Sequence, residues 1–230
     1  PASVIKDLVN ERVELIEQQE GRSVYRKERD GIKEEVMHDA LPQAFTRNSR
    51  TFAYIDPKSG WVVVDASSPK KAEDLCSLLR ESLGSFPAVP PQVVHSPTVV
   101  MTQWLRGEEL PENVALGDEC ELREPGDEGG IIRCKRQDLT AEEIGIHLDA
   151  GKQAYKLSIG WEENFSAIIA EDLTIKRLKF SEELVAEADD AGTEDAAAQF
   201  DADFALMTLT LSRFLPAYLG YFGGEKGAPV

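Results

Sequence analysis

The feature that most constrains the fold is a series of short β-rich runs, each bounded by turn residues. The runs at 51–56 and 61–66 flank Pro57-Lys58-Ser59-Gly60, which predicts an antiparallel hairpin. Further strands are predicted at 131–135, 152–160, 165–170 and 174–180. Segments with helical spacing separate these strands, and the alternation predicts an α+β protein with antiparallel strands.

Apolar residues at helical spacing predict the helices between the strands. These are expected at 3–20, 24–41, 69–83, around Trp104-Leu105, from 140 to about 150, and at 204–222 with an interruption at Pro216. The first two pair as an antiparallel arm. The third has Ser68 as its N-cap and ends at Gly84. Its predicted core face consists of Ala72, Leu75, Cys76, Leu79 and Leu83. Thr140, followed by Glu143, is a capping box for the next helix.

These patterns divide the chain into three segments. Residues 1–41 form the helical arm, and residues 42–128 hold a finger loop, the hairpin and helices. Residues 129–230 form a second α+β segment with the C-terminal helix.

The charge of the chain is concentrated in two segments. Residues 106–128 hold nine acidic residues against two basic ones, and residues 182–203 hold nine acidic residues and no basic one. The formal net charge is −17, so the rest of the chain is close to neutral and contains local basic clusters. Two explanations remain open at this point. The acidic segments are solvated loops on an ordinary protein, or the molecule has one basic surface and an acidic remainder that repels DNA.

Composition excludes several classes of protein. No apolar run is long enough for a transmembrane helix, and no signal pattern opens the chain. The three cysteines form no CxxC motif, which favours a reducing cytoplasm. A strongly acidic chain is, on average charge alone, not expected to bind nucleic acid.

A search for catalytic motifs favours a protein without enzymatic activity. The sequence contains no GxSxG, HExxH, P-loop or GxGxxG motif. Cys120, Cys134 and His147 are spaced too widely for a typical zinc site, and the acidic runs lack the pattern of a calcium loop. We therefore predict no cofactor and no metal.

Three basic features remain as candidate binding sites. The first is the loop around Phe45, flanked by Arg47 and Arg50. Phe45 either stacks on a base while the arginines hold phosphates, or packs beneath its own loop. The second is Lys70-Lys71 at a helix N-terminus, which either binds an anion or is two exposed lysines without a role.

The third basic feature lies at the end of the predicted strand 131–135, just before the predicted helix that begins at residue 140. It runs from Arg133 through Lys135, Arg136 and Gln137, and Lys152 stands at the far end of that helix. Residues 133 and 135 share one face of a strand, so both side chains can contact one phosphate backbone. A charged edge that merely protects the sheet is the alternative.

At these residues the sequence resembles the bacterial recombination-associated RdgC family. The matching blocks are 41–47, 70–74, 78–85, 135–140, 176–180 and 200–204, which occur in the family's order along nearly the whole chain. Family members extend further at the N-terminus, so the resemblance implies that this chain lacks their opening segment.

The resemblance implies a non-enzymatic protein that dimerises into a closed ring around duplex DNA. Its binding would be largely independent of sequence, would extend to single strands, and would limit recombination by RecA. The family's finger-tip aromatic falls on Phe45, its basic-Gln pair on Arg136 and Gln137, and its Gly-Lys pair on Gly151 and Lys152. We therefore expect a homodimer in the cytoplasm, associated with the nucleoid and not with a membrane.

Two other interpretations stay open. An acidic module that binds a protein partner, or mimics nucleic acid, would account for both acidic segments and would show no affinity for DNA. A hydrolase or metalloenzyme ranks third, because no convergent set of catalytic residues is visible.

Overall fold

The computed structural model describes residues 2–46, 48–108, 110–126, 129–191 and 195–227. The chain forms two compact units, residues 1–51 and residues 52–230. The predicted three-segment division is not tested by this partition and stays a prediction.

The first unit is a helical hairpin with a small core. Helices α1 (Ala2–Glu20) and α2 (Arg26–Ala40) pack against each other through Val9, Val13 and Ile32, which are buried. Gly21 follows α1 with a φ of 62°, a conformation that glycine adopts without strain. A short 3-10 helix, Leu41–Gln43, ends the arm. The predicted antiparallel arm is confirmed.

The second unit begins with the predicted hairpin. Strands β1 (Phe52–Asp56) and β2 (Trp61–Asp65) pair antiparallel, with Ala53 opposite Val64. Asp56 supports the turn, because its carboxylate accepts hydrogen bonds from the backbone N–H groups of residues 58 and 59.

Helix α3 (Pro69–Leu83) follows the hairpin. Its N-cap is Ser68, whose side chain accepts a hydrogen bond from the Lys71 backbone N–H at 3.4 Å. Gly84 ends the helix in the left-handed conformation. Both helix ends are therefore as predicted. Leu83 is wrong as a core residue, since 64% of it is exposed. Helix α4 (Pro97–Leu105) comes next and buries Trp104.

Five antiparallel strands form the main sheet in the order β4-β3-β5-β6-β7. Their bounds are Val114–Arg123 for β3, Ile131–Lys135 for β4, Gln153–Trp161 for β5, Phe165–Ala170 for β6 and Ile175–Phe180 for β7. The strands after residue 130 lie where the sequence predicts them. The α+β class with antiparallel strands is confirmed.

One face of this sheet is covered by helices. Apolar side chains of β3, β5 and β6 share a core with α4, with α5 (Glu142–Asp149) and with the C-terminal helix α7 (Ala196–Tyr221). Phe214 of α7 contacts Trp161 and Phe165 edge-on, with ring centroids 5.3 and 4.8 Å apart. The sheet therefore has a buried face and an opposite face that carries polar residues.

The two acidic segments are not the solvated loops that their charge suggests. Strand β3 lies within the first segment. The side chains of Val114, Cys120 and Leu122 on this strand are buried in the core. Helix α6 (Glu182–Ala191) and the start of α7 occupy most of the second segment. Residues 109, 127–128 and 192–194 of these segments lie outside the described residues.

Two details of the predicted helices are corrected. The α5 N-cap is Ala141, and Thr140 instead donates its hydroxyl to Asp138 at 2.6 Å, so the predicted capping box does not form. Helix α7 begins at Ala196 rather than near residue 204, and it continues through Pro216 without a break. Within the described residues, none of the helices is both long and apolar enough to span a bilayer.

Candidate nucleic-acid interface

The uncovered face of the five-stranded sheet is rich in basic side chains. In an antiparallel sheet, directly paired residues project on the same face, and alternate residues share it. Glu121 of β3 lies opposite Arg133 of β4 and Lys156 of β5. This register places the cations of three strands around one carboxylate.

Strand β7 adds cations at the far side of the same face. The pairing shifts from Ile168–Lys176 to Ser166–Lys179, which marks a β-bulge. Arg177 lies in the bulge with a φ of 51°, a left-handed conformation uncommon for residues other than glycine. Because of the bulge, Lys176, Arg177 and Lys179 are all exposed, whereas Leu178 packs against the core.

We call this surface the basic face. Within the described residues its cations are Arg123, Arg133, Lys135, Lys156, Lys176, Arg177 and Lys179, and the carboxylates of Glu119 and Glu121 lie among them. A cleft of about 320 Å³ crosses it. Its charged lining consists of Glu119, Glu121, Arg133, Lys135, Lys156 and Arg177. The arrangement concentrates positive charge on one side of a chain whose net charge is strongly negative.

Glu121 lies at the centre of the basic face and is only 5% exposed. Its Oε2 accepts hydrogen bonds from Arg133 Nε at 2.8 Å and from Lys156 Nζ at 3.0 Å. Its Oε1 accepts from Arg123 Nε at 2.8 Å. Burial alone would raise the pKa of Glu121, but the bonds from Arg133, Lys156 and Arg123 outweigh it and hold the pKa at about 2. Glu121 is therefore ionised at every physiological pH.

The second carboxylate is held differently. Both oxygens of Glu119 accept from Arg177 Nη1 at 2.9 Å, and no other cation bonds to it among the described residues. The Glu119 side chain is 25% exposed, and that of Arg177 is 61% exposed. This pair is solvated, so it contributes little to stability.

Arg133 and Lys135, both predicted as binding residues, lie on the basic face and share it as the strand pattern predicts. Arg136 follows them in a left-handed conformation with a φ of 54°. The backbone N–H of Gln137 donates to the carbonyl of Asp118 at 3.1 Å, which fixes this turn beside β3. Both Arg136 and Gln137 are exposed.

Lys152 lies at the other end of the β3–β4 ladder. It precedes Gln153, which pairs with Arg123, whereas Lys135 pairs with Glu119. The Nζ of Lys152 is 3.7 Å from a carboxylate oxygen of Glu124. The predicted residues thus line the ladder from end to end rather than meeting at one point.

Lys70 and Lys71 are exposed in the first turn of α3 and do not line the cleft. The Ser68 hydroxyl beside them already accepts the Lys71 backbone N–H, so it is engaged as a helix cap. Their role in binding an anion stays a prediction.

Phe45 is completely exposed, with a relative accessibility of 105%. The alternative in which it packs beneath its own loop is therefore wrong for this chain. Arg50 is also exposed, and Arg47 lies outside the described residues. The loop offers an aromatic ring to solvent, which is an arrangement suited to stacking.

Comparisons with known proteins identify the family. A family model described as "Putative exonuclease, RdgC" matches residues 1–225. The recombination-associated protein RdgC of Psychromonas ingrahamii is 50% identical over 98% of this chain and 75% of its own length. The proteins of that name from Aeromonas hydrophila and Pseudomonas fluorescens are 49% and 48% identical over the same share of this chain, and over 75% and 74% of their own lengths. This chain belongs to the RdgC family. The suspected resemblance is confirmed.

The structure of this RdgC-family chain reveals basic residues that were not selected from the sequence as binding residues. They are Arg123, Lys156, Lys176, Arg177 and Lys179. The cluster at 176–179 was visible in the sequence as three cations within a predicted strand. Lys156 was visible in the sequence only as one of a pair with Lys152, and its contact with Glu121 could not be foreseen because the two residues are 35 positions apart.

Possible metal ligands do not gather in the described part of this RdgC-family chain. No three His, Cys, Asp or Glu side chains there lie together as metal ligands would. Cys76, Cys120 and Cys134 are free thiols.

Proposed function

We propose that this chain is a DNA-binding protein whose basic face contacts the phosphate backbone without selecting a sequence. The observation that carries the proposal is the concentration of seven cations on one sheet face of a chain with a net charge of −17. Lysine and arginine contacts to phosphates supply affinity but carry no sequence information. The relatives of this chain are named recombination-associated proteins, and recombination acts on DNA, which supports a DNA-binding role for this surface.

The exposed ring of Phe45 supports a second contact with DNA. Aromatic side chains stack on bases of any sequence or wedge between base steps. Arg50, which is exposed on the same loop, would hold a neighbouring phosphate. This contact would also serve single-stranded DNA, where bases are already accessible.

We infer that two chains assemble into a ring that encircles duplex DNA, with the cations towards the hole. The proposal follows from the resemblance to the family and agrees with the charge distribution. The remainder of the chain is strongly acidic, and repulsion would discourage DNA from lying there. Light scattering should give a particle of twice the 25.4 kDa chain mass, and a monomer at all concentrations would reject the ring.

Occupation of DNA by such rings would limit strand exchange by RecA in the cytoplasm, at the nucleoid. The proposal is tested by adding the protein to a RecA strand-exchange reaction. We expect inhibition that follows the amount of DNA covered. Inhibition by a variant that no longer binds DNA would instead indicate direct contact with RecA.

The binding itself is tested with a labelled duplex of random sequence. Fluorescence anisotropy should show tight binding at about 50 mM salt and a steep loss of affinity by about 200 mM. Absence of binding at low salt would favour the acidic protein-interaction module, which predicts no DNA affinity at any salt.

The description of the matching family model favours one second candidate, an exonuclease. End-labelled duplex incubated with the protein and Mg²⁺ distinguishes the two functions. DNA that stays intact while it is bound supports binding without cleavage. Progressive shortening from the ends would establish nuclease activity.

A further inference from the structure

The basic face contains one feature that a simple electropositive surface would not need, a carboxylate buried at its centre. A negative charge there reduces the attraction for phosphate, yet Glu121 is ionised and bonds three of the cations. Glu121 is therefore placed where it controls the geometry of the cations that surround it.

Glu121 holds its partners by specific atoms. It bonds Arg133 through Nε at 2.8 Å, and within the described residues no acceptor contacts the two Nη atoms of Arg133. The guanidinium is fixed at its inner edge while the outer edge stays available, and 63% of the side chain is exposed. A guanidinium held in this way presents a planar fork suited to a phosphate.

Arg123 plays a different part from Arg133 and Lys156. Its guanidinium lies 4.8 Å from the ring centroid of Tyr155, and it is 3.8 Å from Glu171. These contacts anchor Arg123 within the protein. Among the described residues, Lys156 bonds only Glu121, at 3.0 Å, and its ammonium retains further donors. Arg133 and Lys156 are thus the cations that Glu121 orients for a ligand.

We propose that Glu121 is a positioning residue that orders Arg133 and Lys156 for contact with DNA phosphates. The inference rests on the proposed DNA binding and deepens it. Two long, flexible cations would otherwise lose conformational entropy on contacting phosphates. Glu121 removes that cost before DNA arrives, at the expense of one unit of positive charge.

The proposal predicts a change of affinity opposite in sign to simple electrostatics. Glu121→Gln removes a negative charge from the basic face, so attraction for DNA should rise if only net charge matters. If Glu121 positions the cations, the same substitution lowers affinity.

Glu119 provides a matched control on the same strand and face. It bonds only Arg177 among the described residues and is partly solvated. Glu119→Gln makes the identical chemical change without disturbing Arg133 or Lys156. Because the partly solvated pair orders Arg177 only weakly, the loss of a negative charge dominates, and we expect Glu119→Gln to raise affinity, up to about threefold.

The experiment measures duplex affinity by anisotropy over a range of salt for the whole protein and the two variants. We expect Glu121→Gln to weaken binding about fivefold or more. The plot of the logarithm of the association constant against the logarithm of salt concentration should also become shallower, its slope falling in magnitude by about 1 to 2. Each lost phosphate contact lowers the magnitude of that slope by about 0.9. The slope separates positioning from partial unfolding, because an unfolded fraction lowers the active concentration and leaves the slope of the folded fraction unchanged.

A second variant keeps the proposal falsifiable if Glu121→Gln folds poorly. Arg133→Lys preserves the charge at an exposed position. It loses the hydrogen bond from Nε to Glu121 and the two Nη groups that would contact a phosphate. We expect it to weaken binding about threefold or more with circular dichroism unchanged. A folded Glu121→Gln protein that binds as tightly as the parent, or an Arg133→Lys protein that does so where Glu121→Gln does not fold, would overturn the positioning role alone. A parent protein that binds no duplex would overturn the proposed function and this inference with it.

Discussion

The loop that holds Phe45 and the basic face of the sheet are two candidate DNA surfaces built in different ways. Phe45 is fully exposed, in a unit whose buried core is Val9, Val13 and Ile32. On the sheet, a buried carboxylate holds the cations, and the opposite face of the same strands carries the main core. Substitution of Phe45 should therefore change binding without changing stability, whereas substitution of Glu121 on the basic face should change both.

The largest expected effect is on stability and concerns the basic face. Glu121→Gln should lower the free energy of unfolding by about 3 kcal/mol near neutral pH, because the variant loses a carboxylate whose pKa is held at about 2 instead of 4.5. Urea denaturation of both proteins measures the difference.

The pH dependence of that difference provides the control. The folded-state pKa of Glu121 is lowered, so its contribution is complete above about pH 4.5 and is lost as pH falls towards about 2. The gap between parent and variant should shrink over that interval. A gap that stays constant down to about pH 2 would show that the loss of stability has another origin.

The next largest effect is on binding and tests the basic face, together with Arg136 in the turn after β4, by charge reversal. The double substitution Lys135→Glu with Arg136→Glu should reduce duplex affinity roughly 100-fold at low salt, since two phosphate contacts become repulsive. Anisotropy titration measures it. The matched control reverses Lys58 and Lys226, which are exposed elsewhere in the same unit. An equal loss in the control would mean that only overall charge matters.

Substitution of Phe45 should give a smaller effect on binding and none on stability. Phe45→Ala should weaken binding roughly tenfold through the loss of base stacking. The melting temperature should not move, because the ring is fully exposed. The control is Phe45→Trp, which keeps an aromatic ring and should retain affinity. A fall in the melting temperature of Phe45→Ala would contradict the difference between the two surfaces.

The smallest effect is expected at the start of α3. Lys70→Ala with Lys71→Ala should weaken binding only a few-fold, because neither lysine lines the cleft. Cations in the first turn oppose the helix dipole, so stability should stay the same or rise by a few tenths of a kcal/mol. A loss of affinity as large as that of the Lys135 and Arg136 double variant would place the main phosphate contact at this helix instead.

Much of the secondary structure could be predicted because its signals are local. The hairpin follows from the turn residues at 57–60, and the end of α3 follows from Gly84. The strand within the first acidic segment was not predicted, because the charge density there hid a period-two pattern. Val114, Cys120 and Leu122 bury one face of β3 while acidic residues occupy much of the other.

The arrangement of the candidate site could not be predicted in the same way. Arg133 and Lys135 share a face because the strand alternates, and this was foreseeable from the sequence. The contacts of Glu121 depend on pairing β3 with both β4 and β5, and non-local pairing is not encoded in any short segment. The exposure of Arg177 depends on a bulge, which follows from the register of the whole β6–β7 pair.

The most direct test of the account is a lysine footprint of the whole protein with and without duplex DNA. Acetylation followed by mass spectrometry reports which ammonium groups DNA covers. We expect Lys135, Lys176 and Lys179 to be protected while Lys58 and Lys226, exposed elsewhere in the same unit, react equally in both samples. Equal reactivity of Lys135, Lys176 and Lys179 with and without bound DNA would contradict the basic face as the DNA-binding surface.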